Sequence, residues 1–188
     1  MKKKNVKQID EFSYYMFTPD FFHIYDYTTE IKGREEPVHR YTATHILHQL
    51  FYLLMGGYSI FYMEKCGVVV SYVMYTKCRW FVFDSGNRND YYVMFYYTYP
   101  EYRGNGYASV MMHMLFDLLQ DKNDFYERIA VANTASINAA KKIGFTEDGF
   151  VTRSRLIHKI VRTQKHTDSR LFRFDRSNKR NNKCASYT

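Results

Sequence analysis

One stretch of the chain constrains its fold more than any other, because a strand pattern changes to a helical pattern across a turn with two glycines. The aromatic run at 91–99, YYVMFYYTY, predicts a buried strand that Pro100 ends, since proline cannot donate a hydrogen bond to a sheet. From Gly106 onward the apolar residues recur with a period of about 3.6, which predicts a helix. Its apolar line comprises Ala108, Met112, Leu115 and Leu119, flanked by Met111 and Leu118.

The turn between this strand and this helix has the composition of an anion site. The first N–H groups of a helix lack intrahelical acceptors, and the helix dipole adds partial positive charge there. Gly104 and Gly106 permit close approach of a phosphate, and Arg103 can pair with its oxygens. A glycine-rich turn also forms without a ligand, so both interpretations stay open on these residues alone. The spacing matches neither a P-loop nor a dinucleotide fingerprint.

The remaining patterns predict a mixed α/β (α+β) fold with a largely antiparallel sheet. We expect strands at 21–27 and 128–132, a hairpin turning at 64–67, an extended segment at 79–83 and a polar turn at 84–90. Helices are expected from Pro37 to the Gly56-Gly57 stop and at 135–143, with one or two strands after residue 150.

Length and composition predict one domain at 1–176 and a basic, disordered tail at 177–188. No apolar run approaches the roughly 20 residues of a membrane span, and the N-terminus lacks the apolar core of a signal peptide. The three cysteines are odd in number and lack metal-ligand spacing. We therefore expect a reduced, cytoplasmic protein without a metal or a membrane partner.

The net charge of +8 is concentrated at the two ends of the chain. Residues 8–150 carry 12 basic and 17 acidic residues, a balance of −5, whereas 1–7 and 151–188 carry +4 and +9. A nucleic-acid-binding fold usually carries a basic surface of its own. A nucleic-acid partner is therefore not expected.

Two blocks of residues resemble motifs of the GCN5-related N-acetyltransferases. Arg103-Gly104-Asn105-Gly106-Tyr107-Ala108 resembles the family's Arg/Gln-x-x-Gly-x-Gly/Ala signature. Asn133-Thr134-Ala135-Ser136, followed by Lys142 and Gly144-Phe145, resembles its Asn-x-x-Ser…Lys-x-Gly-Phe block. The resemblance covers roughly residues 58–150. It implies a mixed, mostly antiparallel central sheet flanked by helices on both faces.

The resemblance also implies acetyl-CoA as the co-substrate. Its pyrophosphate would lie on the N–H groups of residues 103–108. Its pantetheine arm would pair with the end of the 91–99 strand and fill the wedge beside the next strand. The implied cofactor-binding residues are Thr98, Arg103, Gly104, Asn105, Gly106, Tyr107, Ala108, Asn133 and Ser136. Asn133 and Ser136 are equally suited to capping a helix, and Phe145 is expected to pack in the core.

Family members transfer the acetyl group by direct attack of an amine. A backbone N–H near Tyr96 or Tyr97 would polarise the thioester carbonyl. The family's strand glutamate and helix tyrosine match Tyr92 and Ala140 here, so both usual proton-transfer groups are replaced. Tyr92 is the candidate catalytic side chain, although a tyrosine with a pKa near 10 suits an acid better than a base.

Other proton routes stay open. Asp90, or a histidine acting through water, is one alternative. His45 and His48 share a helical line with Tyr41 and Tyr52 that would border the acceptor in this family, but packing explains them as well. His113 is expected to be exposed.

The leading hypothesis is an N-acetyltransferase for a primary amine of a small molecule or amino sugar. A protein or peptide amine is the second choice. A non-catalytic acyl-CoA-binding module is the third, because the usual proton-transfer residues are replaced and a fold does not establish chemistry. A homodimer is compatible with the resemblance.

Overall fold

A computed structural model describes residues 3–18, 47, 50, 57–119, 123–154 and 159–176. The strands are β1 (Lys3–Ile9), β2 (Phe12–Phe17), β3 (Ser59–Lys65), β4 (Val68–Lys77), β5 (Tyr91–Thr98), β6 (Phe125–Ala130), β7 (Thr146–Arg153), β8 (Ile160–Thr163) and β9 (Ser169–Phe174). The helices are a 3-10 helix (Pro100–Tyr102), α1 (Tyr107–Leu118) and α2 (Thr134–Ile143).

Several predictions fall outside the described residues. They are the strand at 21–27, the tail at 177–188 with Cys184, and the line of Tyr41, His45, His48 and Tyr52. The predicted helix from Pro37 is described at two positions, Leu47 and Leu50, and both are helical.

The chain divides into two compact units. The first unit comprises Met1–Thr76 and Phe95–Met111, and the second comprises Lys77–Met94 and Met112–Thr188. The chain passes from one unit to the other within β5 and again within α1. The expectation of a single domain at 1–176 stays a prediction.

The first unit is an antiparallel sheet in the order β1, β2, β3, β4 and the second half of β5. The predicted hairpin at 64–67 is confirmed, with Cys66 and Gly67 at the turn between β3 and β4. Five consecutive residues of β3, from Ile60 to Glu64, are buried, as in a strand covered on both faces.

The second unit contains the first half of β5, followed by β6, β9, β7 and β8. Among the paired strands described, β5 and β6 alone run parallel. Phe116 of α1 packs on Phe125 and Phe174, with ring centroids 4.6 and 4.1 Å apart. Phe145 lies 5.5 Å from Phe174, so its predicted place in the core is confirmed. The mixed α/β class with a mostly antiparallel sheet is confirmed as well.

The structure corrects the prediction of an extended segment at 79–83. The N–H groups of Val82 and Phe83 both donate to Arg79 O, so this segment is a tight turn. Phe81, Val82 and Phe83 are buried in succession, whereas Trp80 is 62% exposed. Three consecutive buried residues do not follow the alternation of a half-buried strand, and a short apolar run does not reveal its conformation by periodicity.

Other boundaries also differ from the expectations. The strand expected at 128–132 is β6, which begins three residues earlier. Two strands, β8 and β9, begin after residue 150 as predicted, and β7 begins before that position at Thr146. His113 is half-buried beside Phe116 and Phe174 rather than exposed. No helix within the described ranges is long and apolar enough to cross a membrane.

Candidate functional site

The turn before α1 has the backbone that a phosphate site requires. The 3-10 helix ends as the N–H of Arg103 donates to Pro100 O at 3.2 Å. Gly104 and Gly106 then have φ angles of 82° and 76°, in the left-handed region that favours glycine. A Cβ built on either glycine would meet no atom within 4 Å. The space in front of the turn is therefore open to a ligand.

The turn also presents uncommitted hydrogen-bond donors. Among the described residues, no group accepts a hydrogen bond from any of the five backbone N–H groups from Gly104 to Ala108. The first helical bond of α1 runs later, from Val110 N to Gly106 O at 3.1 Å. Because exposed N–H groups at a helix start carry partial positive charge, this turn suits an anion.

Side chains of the turn hold its shape. Arg103 Nε donates to Thr98 O at 3.0 Å, and the guanidinium lies 5.3 Å from the Tyr97 ring centroid. Asn105 Nδ2 donates to Tyr102 O and Arg103 O, at 3.2 and 3.3 Å. The side chain of Asn105 therefore braces the turn through its Nδ2 group.

β5 contains one residue more than β4 over the length they share. Cys78 N donates to Asp90 O at 2.7 Å, and Tyr99 N donates to Val70 O at 3.1 Å. Between these bonds β4 advances eight residues, from Val70 to Cys78, whereas the β5 chain advances nine, from Asp90 to Tyr99. The segment from Asp90 to Tyr99 therefore contains one residue more than the β4 segment that it faces, as at a β-bulge.

The backbone groups of Thr98 lie on the outer edge of β5. Tyr99 N–H points toward β4, so the preceding residue, Thr98, points its backbone groups toward the opposite edge, where Arg103 Nε donates to Thr98 O. The pairing of β5 with β6 begins at Tyr91–Phe125 and ends at Val93–Glu127. Thr98 and Tyr96 thus belong to the part of β5 beyond this parallel pairing.

A buried hydroxyl pair fixes the end of β5. Ser71 Oγ of β4 donates to Tyr97 O at 2.9 Å and lies 2.9 Å from Thr98 Oγ1. Because Ser71 has one proton to donate, Thr98 must donate to Ser71. Sequence reasoning missed Ser71, although a lone serine within the largely apolar run VVVSYVMY was the available signal.

The other predicted site residues lie in the second unit. Asn133 caps α2, since its Oδ1 accepts a hydrogen bond from Ser136 N at 3.1 Å. Tyr92 is buried, with its ring 6.1 Å from that of Phe83. Ala140, at the position of the family's helix tyrosine, is fully buried and offers no proton.

Asp90 is an architectural residue at the start of β5. Its Oδ1 accepts hydrogen bonds from Asp124 N at 3.1 Å and from Asn87 Nδ2 at 2.9 Å. Burial raises the pKa of Asp90 above its ordinary value. Eight residues of extended chain, about 26 Å, separate Asp90 from Thr98 along β5. A role as base at the Thr98 end therefore has no support from this position.

The described cysteines are not suited to a covalent acetyl-enzyme. Cys78 is buried, and desolvation raises the pKa of its thiol to about 12. Cys66 is exposed in the β3–β4 hairpin. Neither supplies a buried thiolate for a covalent acetyl-enzyme.

Glu127 of β6 was missed by sequence reasoning. It is 4% exposed, its Oε1 has no hydrogen-bond partner, and burial raises its pKa to about 8. It lies on the same face of β6 as Phe125, which Phe116 covers. A strand beginning at Phe125 would have revealed it, because the alternation of FYERIA then places Glu127 on the apolar face.

The described residues bring together no group of three or more His, Cys, Asp or Glu side chains that would hold a metal ion. The site is built instead from backbone donors, hydroxyl groups and one arginine.

Comparisons with known proteins agree with this architecture. The chain resembles a variant of the spermidine N-acetyltransferase SpeG from Vibrio cholerae, with a TM-score of 0.56 at 13% identity over 93% of this chain and 99% of that chain. It also resembles an acetyltransferase of the GNAT family from Streptococcus pneumoniae, with a TM-score of 0.51 at 11% identity over 86% of this chain and 98% of that one. At these identities the likeness concerns the fold. No curated protein sequence matches the chain significantly.

The sequence itself identifies the family. The family model described as "Acetyltransferase (GNAT) family" matches residues 19–145, which is more than half of the chain. This chain therefore belongs to the GNAT acetyltransferase family, whose members are acetyl-CoA-dependent acyltransferases.

Proposed function

We propose that this chain binds acetyl-CoA at the Gly104–Ala108 turn and transfers the acetyl group to a primary amine. The observation that carries the proposal is the set of five backbone N–H groups without an acceptor among the described residues. The diphosphate accepts from these groups, and Arg103 adds positive charge beside them. Family membership supports acetyl-CoA as the donor.

The pantetheine arm follows β5 away from the turn. Its amides pair with backbone groups of Thr98 and Tyr96, as an added strand would. Arg103 already donates to Thr98 O, so Thr98 offers its N–H to the arm. Asn133 and Ser136 are proposed to bind acetyl-CoA as well, with Asn133 using the Nδ2 group that the cap leaves unused.

The chemistry needs no covalent intermediate on the protein. The lone pair of a neutral amine attacks the thioester carbonyl carbon, and the C=O electron pair moves onto oxygen. A backbone N–H at Tyr96 stabilises this oxyanion. Collapse restores the C=O bond and expels the CoA thiolate, while the nitrogen releases one proton to solvent water. The Tyr92 hydroxyl or solvent returns a proton to the thiolate.

We propose a small-molecule amine or amino sugar as the acceptor. The second half of β5 leaves Phe95, Tyr96 and Tyr97 half-buried, and flat rings of this kind stack well on sugars. A peptide amine is the competing acceptor. A module that binds acyl-CoA without turnover is the competing function, because Tyr92 and Ala140 replace the family's usual proton-transfer groups.

Release of CoA thiol, measured across a panel of amines, tests this function. The panel contains amino sugars, alkyl amines, polyamines and N-terminal peptides, each with acetyl-CoA and the full chain. We expect thiol release above the rate without acceptor for at least one non-peptide amine. Release of CoA thiol with peptides alone would show that the acceptor is a peptide amine. Binding of acetyl-CoA without release of thiol for any amine in the panel would indicate a module that binds acyl-CoA without turnover.

Residues 1–176 are proposed to work as one acetyltransferase domain, because the family match at 19–145 contains parts of both compact units. A reduced, cytoplasmic location is supported by Cys66 and Cys78, which are both free thiols. Light scattering at several concentrations tests the proposed homodimer.

A further inference from the structure

Lys65 at the end of β3 and Tyr107, the first residue of α1, both lie against the Phe12 ring. Lys65 Nζ lies 2.8 Å from Glu11 Oε1 and 5.6 Å from the centroid of the Phe12 ring. The Tyr107 ring lies 5.5 Å from Phe12 and 6.4 Å from Tyr102. We call Glu11, Phe12, Lys65, Tyr102 and Tyr107 the Lys65 cluster.

The Lys65 cluster has donors left for a ligand. A lysine ammonium has three N–H donors and no acceptor. Glu11 takes one of them, so two donors remain. The Tyr107 hydroxyl has one proton of its own to donate. Lys65 and Tyr107 can therefore bind the same anion together.

The cluster also offers aromatic surface. Phe12, Tyr102 and Tyr107 are all half-buried, so each ring exposes part of its surface to solvent. A flat heterocycle gains contact area on such rings at little conformational cost. Lys65 and Tyr107 can donate hydrogen bonds to an anion, and half-exposed aromatic rings lie beside them. This combination suits a phosphorylated nucleoside.

The position of the cluster decides which part of CoA it faces. Tyr107 directly follows Gly106, so the cluster borders the turn proposed to hold the diphosphate. Within the first unit, β4 lies between β3, which carries Lys65, and the second half of β5. The proposed pantetheine arm uses the edge of β5 that faces away from β4. Lys65 therefore lies on the side of the turn opposite the proposed arm. Because the diphosphate joins the pantetheine arm to the nucleotide, a diphosphate held on the turn would let the nucleotide end extend toward this side.

We propose that the Lys65 cluster binds the 3′-phosphoadenosine end of CoA, with Lys65 and Tyr107 donating to the 3′-phosphate and a half-buried ring contacting adenine. This inference rests on the proposed function, because it takes the diphosphate to lie on the adjacent turn. Arg103 does not fulfil this role, since it is held against Thr98 and Tyr97 on the β5 side. Glu11 acts as a positioning residue that holds the ammonium beside Tyr107.

The size of the effect follows from the exposure of Lys65. Its side chain is 33% exposed, so solvent weakens its pairing with a phosphate. Pairs at such positions change affinity by about two- to fivefold. The full chain is therefore expected to bind CoA about two- to fivefold more tightly than 3′-dephospho-CoA.

Calorimetric titration with CoA and 3′-dephospho-CoA tests the proposal. Lys65→Gln should bring the two dissociation constants together by weakening CoA binding, and it should leave 3′-dephospho-CoA binding within about twofold. Lys141→Gln is the matched control, because Lys141 is an exposed lysine on α2 in the other compact unit. This control should keep the wild-type preference for CoA.

Two results with intact binding would overturn the inference while leaving the proposed function in place. One is a wild-type chain that binds CoA and 3′-dephospho-CoA equally tightly, or a Lys65→Gln variant that keeps the wild-type preference for CoA. The other is an equal weakening of both ligands by Lys65→Gln, which would place Lys65 on the diphosphate. Failure of the wild-type chain to bind either ligand would instead overturn the proposed function, and this inference with it.

Discussion

Glu127 places a carboxyl group in the aromatic core of the second unit. Phe172 of β9 is its cross-strand partner, and Phe125 is its neighbour on the same face of β6. Desolvation is the only cause that raises its pKa, so no charged side chain compensates it. The carboxyl group is therefore protonated in the folded chain at neutral pH.

This burial predicts a pH-dependent stability. The pKa of Glu127 rises from the usual 4.5 in the unfolded chain to about 8 in the folded chain, so between these values the folded chain binds more protons. The contribution of Glu127 to the free energy of unfolding is fully present below pH 4.5, and it is lost as the pH rises to about 8. The slope is at most about 1.4 kcal/mol per pH unit.

Urea denaturation at several pH values checks this expectation. Glu127→Gln should remove most of the loss of unfolding free energy on the alkaline side, since an amide does not ionise. Glu147→Gln is the control, because Glu147 is 36% exposed and pairs with Arg170. A Glu127→Gln variant whose stability declines with pH as steeply as the wild type would contradict the account.

At the scale of single elements, α2 shows how one residue can serve both a helix and a ligand. Asn133 Oδ1 caps the helix, and Gly144 ends it with a φ of 104° in the left-handed region. Both ends were predictable from the sequence, because Asn and Gly are preferred at these positions and the apolar period lies between them.

Substitution of Asn133 separates its two roles. Asn133→Ala should lower the unfolding free energy by about 1 kcal/mol, because it removes the cap. Asn133→Asp should keep the stability, since a carboxylate caps equally well, but it should weaken acetyl-CoA binding a few-fold by removing the amide donor. Thermal unfolding with and without acetyl-CoA measures both effects. Equal destabilisation by both variants would show that the cap does not explain the loss.

The strand–turn–helix element at 91–118 was predictable for a local reason. Strand alternation, Pro100, the glycines and the helical period all act between near neighbours in the sequence. The bulge in β5 was not predictable, because it appears only when β5 is compared with its hydrogen-bonded partner β4. The turn at 79–83 was mistaken for a strand because its short apolar run is compatible with either conformation.

On the scale of the whole molecule, the sequence predicted the class of the fold and the residues of the turn. It could not predict contacts between residues far apart in the chain. Ser71 with Thr98 and Phe12 with Tyr107 are of this kind, since each pair joins separate elements. The division into two compact units likewise depends on packing that no local pattern encodes.

The central claim is that main-chain donors of the Gly104–Ala108 turn hold the diphosphate of acetyl-CoA. Gly106→Glu tests it, because the new side chain would extend into the open space before the turn and bring a negative charge there. Gly86→Glu is the matched control, since Gly86 also has a positive φ, of 85°, with no atom within 4 Å of a built Cβ. The control accounts for the backbone strain that both substitutions introduce.

The decisive measurement is the melting temperature of these chains with and without acetyl-CoA. At a concentration of 100 times the dissociation constant, acetyl-CoA should stabilise the wild type and Gly86→Glu by about 2.7 kcal/mol, roughly 5–10 °C. Gly106→Glu should show no such shift. A Gly106→Glu chain that acetyl-CoA stabilises as much as the wild type would contradict the account.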